Sequence, residues 1–480
     1  MDADLLNLRE NVLPEIVDGL NKKFPFAHAL VMRRTAEGIE ADSRAGTVQA
    51  NQGELYRKYG WDMNLEGVTL TAWSGDQVHE VSTHDISPDA IATAAKKLHQ
   101  YSHSDLPFEL DLPEFQRVDF STRVKTDALG VSVAGKISAV KELERRILAV
   151  PTSHKVVATT EYQHTLTQEI FVGPHLSGAQ ELQHGRLRAF LYISDGDTQK
   201  MNYFKVGGLC SGLDMFDVSD EVLEETIREG GLLLNPVAKP TGPVPIIVSE
   251  SYGGLIAHES FGHGREGDTV THQIARARHK VGEQVGSPLV TLVTDPTELG
   301  LGQYAFDHEG IIAKRYELVS GGIITPNTIT DFHSARMGGL TPTAHGRRQA
   351  PAHAIYSRQS WTGFQPIPSG EEGSMTFEEM ISDIDFGVYV KRSAGGMEDP
   401  HGWTIQCDAL YGVIIRNGKL TDEVVEEPKI DTTVPLLLGA VRGVTSNLYL
   451  DSGACGKFHK ELVPVGDGGA KLYLHPLRLA

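Results

Sequence analysis

The chain has 480 residues, of which 63 are acidic and 44 are basic, so the formal net charge at pH 7 is −19. This balance argues against a nucleic-acid partner and against binding to an anionic membrane surface, because both need a local excess of Lys and Arg. An apolar fraction of 40% and a charged fraction of 22% are ordinary for a packed globular protein. We therefore expect an acidic globular protein with no nucleic-acid or membrane partner.

The cysteines and the N-terminus indicate a reducing compartment. Cys210, Cys407 and Cys455 lie far apart and do not form the pattern of a disulfide framework. The first residues lack the basic flank and apolar core of a signal peptide. No apolar run reaches the roughly 18 residues that span a bilayer. These observations predict a cytoplasmic protein with free thiols.

The N-terminal part of the chain mixes helical and extended patterns. Apolar residues recur every three to four positions over 5–20, which predicts one helix. Residues 74–76 (Ser-Gly-Asp) lie between two extended runs and predict a hairpin turn. Ser87 and Pro88 are a typical N-cap and first residue of a helix, which should continue to about Leu98.

The middle of the chain predicts a second unit of mixed structure. A helical pattern covers 133–148, and a charged helix with Ser219 as N-cap begins at Asp220. Between these helices the pattern predicts four separate strands, over 155–161, 166–172, 187–193 and 201–206.

Residues 236–245 contain four prolines and predict the strongest boundary in the chain, because proline lacks the N–H that helix and strand interiors need. We expect an N-terminal α+β subdomain over 1–104, a second α+β subdomain over 114–235 and a C-terminal domain over 246–480. Strands that cluster as hairpins favour an α+β fold over a doubly wound parallel sheet. The expected class is thus α+β, with an N-terminal α/β half of hairpin-rich sheets and a mainly-β C-terminal domain.

A histidine–glutamate motif follows this boundary. An apolar strand at 246–248 leads through a glycine-rich turn to His258 and Glu259, and His263 lies five residues after His258. In the familiar zinc-protease motif the histidines are four apart, on one face of a helix, and the glutamate acts on water at the metal. Five steps on a regular α-helix separate the side chains by about 140°. Both can reach one ion only if the helix ends or widens into a π turn at Gly262. With 20 histidines in the chain, a chance match is the alternative.

A catalytic zinc ion needs a third protein ligand and keeps one position open. Cys455 is one candidate, because small residues flank it and permit a close approach of the backbone. Glu266 and Asp268, which follow His263 closely, are carboxylate alternatives. Spacing alone does not decide between the thiolate and the carboxylates.

Four further blocks extend the motif segment 258–268, and the order and spacing of all these blocks resemble the TldD/PmbA family, formerly called modulators of DNA gyrase. The four blocks are 307–310 (Asp-His-Glu-Gly), 346–348 (Gly-Arg-Arg), 450–457 (Leu-Asp-Ser-Gly-Ala-Cys-Gly-Lys) and 463–466 (Val-Pro-Val-Gly). The resemblance is to the TldD-type metalloprotease branch, since PmbA/TldE-type relatives lack the metal motif.

The resemblance implies a zinc-dependent peptidase that cuts unfolded or flexible peptides with low sequence specificity, in proteolysis, peptide maturation or antitoxin degradation. His258, His263 and Cys455 would be the zinc ligands, and Glu259 the general base. The region 246–480 would then be a metallopeptidase domain that carries the metal-binding helix. The family also implies a TldE/PmbA-like partner subunit, or a homodimer, that encloses the site.

The chain departs from the family pattern in ways that bear on substrate choice rather than on the metal. His308 stands where the family usually has an aspartate, His345 where it has an asparagine, and 458–461 differ from the usual Gly-Gln. His345, Arg347 and Arg348 are candidates for substrate binding, since a developing oxyanion needs a donor besides the metal. The alternative for His308 and His345 is an exposed loop histidine without a role.

Two other functions stay open. The same metal could serve an amidase that acts on a small biosynthetic substrate, and a panel of peptides against small amides would separate the two activities. The second is a non-catalytic assembly subunit with a structural metal. Glu259 argues against that function, because a purely structural site has no use for a general base.

Overall fold

The computed structural model describes residues 1–51, 65–103, 108–207, 212–457 and 461–480. The predictions for Cys210 and for residues 458–460 lie outside the described residues. The α-helices of the described part are α1 (Ala3–Asn7), α2 (Leu13–Asn21), α3 (Pro88–Leu98), α4 (Val133–Ala149), α5 (Asp220–Leu232), α6 (Glu250–Ala257), α7 (Gly267–Thr271), α8 (Phe332–Gly338), α9 (Phe377–Ser382) and α10 (Val434–Gly439).

The N-terminal half is built on one eight-stranded sheet. Its strands are β1 (Phe26–Asp42), β2 (Thr47–Asn51), β3 (Leu65–Ser74), β4 (Gln77–Thr83), β5 (Gln116–Ser121), β6 (Lys155–Val172), β7 (Leu176–Asp195) and β8 (Thr198–Gly207). The order is β4-β3-β1-β6-β7-β5, with β2 on β1 and β8 on β7. Strands from both predicted N-terminal subdomains therefore share a sheet, and the domain boundaries stay predictions.

Local patterns predicted some of these elements and missed the length of others. The hairpin between β3 and β4 is confirmed, with Gly75 at φ 60°. The helix start is confirmed too, because the Ser87 side chain accepts from the N–H of Ala90. The separation of the first two predicted strands is wrong, since 155–161 and 166–172 belong to one continuous strand, β6. The strands predicted at 187–193 and 201–206 are present within β7 and β8, which are longer than expected. The polar interval at 162–165 is typical of a loop in sequence, but His164 is buried and the ladder with β7 continues through it.

The single helix expected over 5–20 is interrupted in the structure. A π turn, Leu8–Val12, separates α1 from α2. Pro14 follows directly in the first turn of α2. Proline has no N–H and its ring crowds the preceding turn, so a widened turn accommodates it.

The C-terminal half contains two larger sheets and a small pair. The six-stranded sheet has the order β12-β11-β10-β15-β22-β21, and the seven-stranded sheet has the order β18-β17-β16-β9-β23-β20 with β19 on β17. The strands are β9 (Val244–Val248), β10 (Leu292–Thr294), β11 (Tyr316–Ser320), β12 (Ile323–Ile324), β13 (Gly346–Arg347), β14 (Tyr356–Ser357), β15 (Thr362–Phe364), β16 (Phe386–Asp399), β17 (Thr404–Arg416), β18 (Lys419–Glu426), β19 (Lys429–Thr433), β20 (Val441–Val444), β21 (Tyr449–Lys457), β22 (Glu461–Gly469) and β23 (Leu472–Leu477).

The hydrophobic cores follow these layers. In the C-terminal half, α6 packs between the two larger sheets, where Tyr252, Ile256 and Phe261 join one large apolar cluster with residues of β9, β17 and β23. Two further clusters lie against the N-terminal sheet, one under α1, α2 and α3 and one under α4 and α5. The mixed α+β class is confirmed. Among the described residues, no helix combines the length and apolarity needed to cross a bilayer.

Candidate metal centre

The motif segment folds into a helix that widens as its spacing requires. Strand β9 leads into α6, which is followed by a π turn, His258–Gly262, and a 3-10 turn, His263–Arg265. The N–H of His263 donates to the carbonyl of His258, five residues earlier, which is the bond of a π turn. The two imidazole centroids lie 4.9 Å apart. The predicted wide turn in the backbone between Glu259 and His263 is thus confirmed.

Two glycines permit close packing around this turn. The glycines before the motif were expected in a turn, but they lie inside α6. A Cβ added at Gly254 would lie 2.0 Å from the backbone nitrogen of Gly468, so the helix packs directly on β22. A Cβ added at Gly262 would lie 1.9 Å from Oε1 of Gln359. The helix can approach β22 this closely because Gly254 lacks a side chain, and the π turn can approach Gln359 because Gly262 lacks one.

Cys455 is brought to the two histidines by the edge of the six-stranded sheet. It lies on β21, opposite Val463 of β22. Its Sγ is 3.5 Å from Nε2 of His263. The possible ligand atoms of His258, His263 and Cys455 all lie within 4.8 Å of one another, and all three residues are buried. The structure thus brings together residues that are almost 200 positions apart in sequence.

A carboxylate lies behind each imidazole. Oδ1 of Asp467 is 3.0 Å from Nδ1 of His258, and Oε2 of Glu266 is 2.8 Å from Nδ1 of His263. Such contacts fix the ring and its tautomer and leave Nε2 for a metal. Glu266, one of the alternative ligands, is therefore engaged behind His263. Asp467 was missed by the sequence analysis, although it directly follows the block at 463–466.

The three possible ligands interact electrostatically: the two imidazoles favour the thiolate form of Cys455, and the thiolate favours protonated imidazoles. Burial opposes ionisation of Cys455, but His263 and His258 outweigh it and hold the pKa of the thiol well below its usual range. Burial likewise opposes protonation of His258 and His263. Asp467 and Cys455 raise the pKa of the first imidazole, and Cys455 and Glu266 raise that of the second. A cation that enters would take the place of these protons.

Glu259 lies beside this group and is itself buried. Burial raises the pKa of its carboxyl to about 7, with a further increase from Glu398, although His258 and His263 act in the opposite direction. Glu259, His263 and Glu398 also present possible ligand atoms within 4.8 Å of one another. Glu398, on β16, carried no signal in the sequence. A carboxyl that titrates near neutral pH suits general acid–base chemistry.

These residues line an open cleft of about 400 Å³. One wall is β16, with Gly396 against the side chain of Glu259, and the other is β21 over 452–456. Lys205 of β8 reaches the cleft from the N-terminal sheet, and its Nζ lies 2.7 Å from Oδ2 of Asp451. Both halves of the described chain therefore contribute to the cleft.

His345, Arg347 and Arg348 lie elsewhere. His345 contacts Thr294 Oγ1 at 3.0 Å and Thr343 Oγ1 at 3.1 Å. The guanidinium groups bind backbone carbonyls, and Arg348 also binds the Glu80 carboxylate at 2.5 Å. None of the three is among the described residues that line the cleft. Substrate contact is therefore not among the roles that we propose for them.

The alternative of exposed loop histidines is wrong for both His308 and His345, because both are buried. Nε2 of His308 lies 3.2 Å from Oε1 of Glu169 on β6, and its Nδ1 accepts from the N–H of Arg348. The packing of the N-terminal sheet on the loop after β10 buries this histidine. Sequence could not reveal that contact, since its partners are more than 100 residues apart.

The donor set fits a zinc ion. Two imidazoles and one thiolate are ligands that zinc prefers, and three protein ligands with an open cleft are typical of a catalytic site. The carboxylates of Asp467 and Glu266 supply the orienting contacts that metal-binding histidines usually have.

The chain is similar to known proteins in both sequence and fold. Residues 241–474 match the family described as the PmbA/TldA metallopeptidase C-terminal domain. A protein of Archaeoglobus fulgidus named "Metalloprotease" is 27% identical over 354 residues, which cover 73% of this chain and 78% of that protein. A "Metalloprotease TldD homolog" of Haemophilus influenzae is 30% identical over 247 residues, which cover 51% of this chain and 50% of that protein.

The fold is also similar to a solved structure. TldE from Thermococcus kodakarensis has a TM-score of 0.74 to this chain, with 98% of this chain and 100% of that chain covered. The two sequences are 16% identical, so the likeness is one of fold. It extends over both halves of the chain.

Proposed function

The chain belongs to the TldD/PmbA family, and from this premise we propose that it is a zinc-dependent peptidase that hydrolyses unfolded or flexible peptides with low sequence specificity. The observation that carries the proposal is the convergence of His258, His263 and Cys455 within 4.8 Å, with Glu259 beside them in an open cleft. A structural zinc usually has four protein ligands. Three ligands and an adjacent buried carboxyl favour catalysis.

Glu259 is the general base of the proposed reaction. Bound zinc would polarise the scissile carbonyl and lower the pKa of the attacking water. Glu259 accepts a proton from that water as the water oxygen bonds to the carbonyl carbon of the peptide. It then gives the proton to the amide nitrogen as the C–N bond breaks. The carboxyl of Glu259 lines the same cleft as the three possible ligands, which supports both transfers.

The strands that line the cleft have main-chain hydrogen-bonding groups available to an extended peptide. Within the described strands, β16 pairs with β9 only at 388–390, so its part at 393–398 has a strand on one side alone, β17. β21 is the edge strand of its sheet. A peptide that adds as a strand to either edge gains main-chain hydrogen bonds, which tolerate many side chains. This supports low sequence specificity.

Restricted access completes the proposal. A peptidase with little sequence preference endangers other flexible chains in the cytoplasm, where the cysteine usage indicates that it works. We propose a dimer, with a TldE/PmbA-like subunit or with a second copy of this chain, that encloses the cleft. The likeness in fold to TldE supports such an assembly. Light scattering that shows a fully active monomer at micromolar concentration would contradict it.

The test of the peptidase is Glu259→Gln. We expect zinc content near wild type and a loss of peptidase activity of roughly 10²- to 10⁴-fold, the usual contribution of a general base. Glu398→Gln, in the same cleft, is the comparison variant and should retain more activity. A panel of unstructured peptides and small amides, assayed together, would separate a peptidase from an amidase. Wild-type protein that binds no zinc would refute the proposal.

A further inference from the structure

Strand β21 carries a second polar group next to Cys455. Lys457 lies two residues further along the strand, and side chains two apart project from the same face. Its side chain is 8% exposed, which is rare for lysine. The cleft is lined by Cys455 and Gly456 but not, within the described residues, by Lys457. A role in contacting substrate is therefore not what its position indicates.

Among the described residues, three acceptors hold the ammonium group of Lys457. Nζ donates to Oε2 of Glu266 at 2.9 Å, to Oδ1 of Asp268 at 2.7 Å and to the carbonyl of Ser357 at 3.0 Å. The same Oε2 of Glu266 lies 2.8 Å from Nδ1 of His263. Lys457 and His263 thus share one carboxylate oxygen.

We propose that Lys457 is a positioning residue for zinc: it fixes Glu266, and Glu266 in turn fixes the ring of His263. This inference rests on the proposed function. A buried carboxylate with a free side chain could turn away from the imidazole, and the ammonium group prevents this by holding the shared oxygen. One strand then supplies both the thiolate and the group that orients the histidine beside it.

A purely structural role would be different. Lys457 would then only neutralise the buried carboxylates of Glu266 and Asp268, and its loss would weaken folding without changing zinc affinity in the folded protein. The two roles differ in one measurable property, the coupling between Lys457 and Glu266 in zinc binding.

The experiment measures the zinc dissociation constant by competition with a chelator, for the full chain and three variants. These are Lys457→Met, Glu266→Gln and the double variant. We expect Lys457→Met and Glu266→Gln each to weaken zinc binding by roughly 10- to 100-fold, as is usual when the partner of a metal-binding histidine is lost. The double variant should bind zinc as Glu266→Gln does, because the lysine acts through that carboxylate.

Lys471→Met is the matched control. Lys471 also binds a carboxylate in the C-terminal half, that of Glu250, at a site without a metal-binding histidine. Its replacement should leave the zinc dissociation constant within twofold of wild type. Thermal unfolding of the zinc-free proteins checks that each variant is folded.

Two results would overturn the inference. One is a Lys457→Met protein that is folded and binds zinc within twofold of wild type. The other is a double variant that binds zinc markedly more weakly than Glu266→Gln. If Lys457→Met does not fold, the second comparison decides alone, since the double variant removes both opposite charges together. If the wild-type protein binds zinc no better than Cys455→Ala, the result refutes the proposed function and not this inference.

Discussion

Among the buried histidines, His258 and His263 form a first group and His345 represents a second, and the two differ in what lies behind the ring. His258 and His263 each contact a carboxylate, and the pKa of each is raised despite burial. His345 contacts hydroxyl groups, and burial lowers its pKa to about 3. Charged neighbours favour a positive charge on His258 and His263, whereas burial holds His345 neutral. Burial alone therefore does not fix the charge of a histidine in this chain.

His308 lies between these groups. Glu169 contacts its Nε2 and raises the pKa of the imidazole, but burial outweighs this effect and the net shift is downward. Arg347 and Arg348 lower it further. The positive neighbours of His308 contrast with the thiolate of Cys455 beside His263. A carboxylate thus raises the pKa of a buried histidine only where neighbouring positive charges and burial do not outweigh it.

The largest expected effect comes from Cys455→Ala, which removes the thiolate from the first group. We expect zinc affinity to fall by more than the roughly 100-fold upper range for loss of an orienting partner, because a ligand itself is lost. X-ray absorption of the wild-type zinc complex should show a zinc–sulfur distance of about 2.3 Å. Unchanged zinc content in the variant, or a wild-type spectrum with only nitrogen and oxygen neighbours, would contradict the prediction.

Gly254→Ala tests whether the geometry of His258 and Asp467 depends on the close approach of α6 to β22. The added methyl group would meet the backbone of Gly468, so we expect a loss of about 1–3 kcal/mol in the free energy of unfolding. Zinc affinity should fall as well, because His258 follows this helix and Asp467 lies on the strand.

The matched control for this substitution is Gly19→Ala. Gly19 lies in helix α2, and among the described residues no atom outside its own helix backbone and chain neighbours lies within 4 Å of an added Cβ. That variant should be stabilised by roughly 0.5–1 kcal/mol, as alanine is favoured over glycine in helices. Urea denaturation of both variants measures the contrast. Equal stability of the two would show that the helix can move away from the strand without cost.

Asp467→Ala removes the carboxylate behind His258. The ring of His258 should then resemble that of His345, which has no carboxylate partner among the described residues. We expect zinc affinity to fall by roughly 10- to 100-fold, as measured by chelator competition. His345→Asn, in the second group, should leave zinc affinity unchanged. If both variants bind zinc equally well, the contrast between the groups has no bearing on metal binding.

The two groups should also respond oppositely to pH in the zinc-free protein. The folded pKa of His345, about 3, lies below the ordinary value near 6.5. Its contribution to stability is therefore present above pH 6.5 and is lost as the pH falls toward 3. In His345→Asn, the slope of unfolding free energy against pH should decrease by about 1.4 kcal/mol per pH unit in this window.

His258 supplies the opposite sign. Its folded pKa is raised, so its contribution is present below pH 6.5 and is lost as the pH rises through the folded value. His258→Asn should thus lower the stability of the zinc-free protein more at pH 6 than at pH 9. Urea denaturation from about pH 3 to about pH 9 covers the windows of both variants. Parallel profiles for the two variants would remove the distinction between the groups.

Local sequence determined the features that depend on neighbouring residues. The five-residue spacing of His258 and His263 required a widened turn at Gly262, because a regular helix would aim the rings apart, and a π turn is present. Ser87 with Pro88 determined a helix start, since a hydroxyl can accept the free N–H groups of the first turn.

Only the tertiary structure decided which distant residues meet. Cys455 and Glu266 were equal alternatives as ligands on spacing, and the pairing of β21 with β22 brings the thiol to the site while Glu266 lies behind His263. Burial of His345 and Arg347 also followed from packing that no local pattern encodes. Contacts such as His258 with Asp467 join residues 209 positions apart, and sheet order, not sequence spacing, sets their distance.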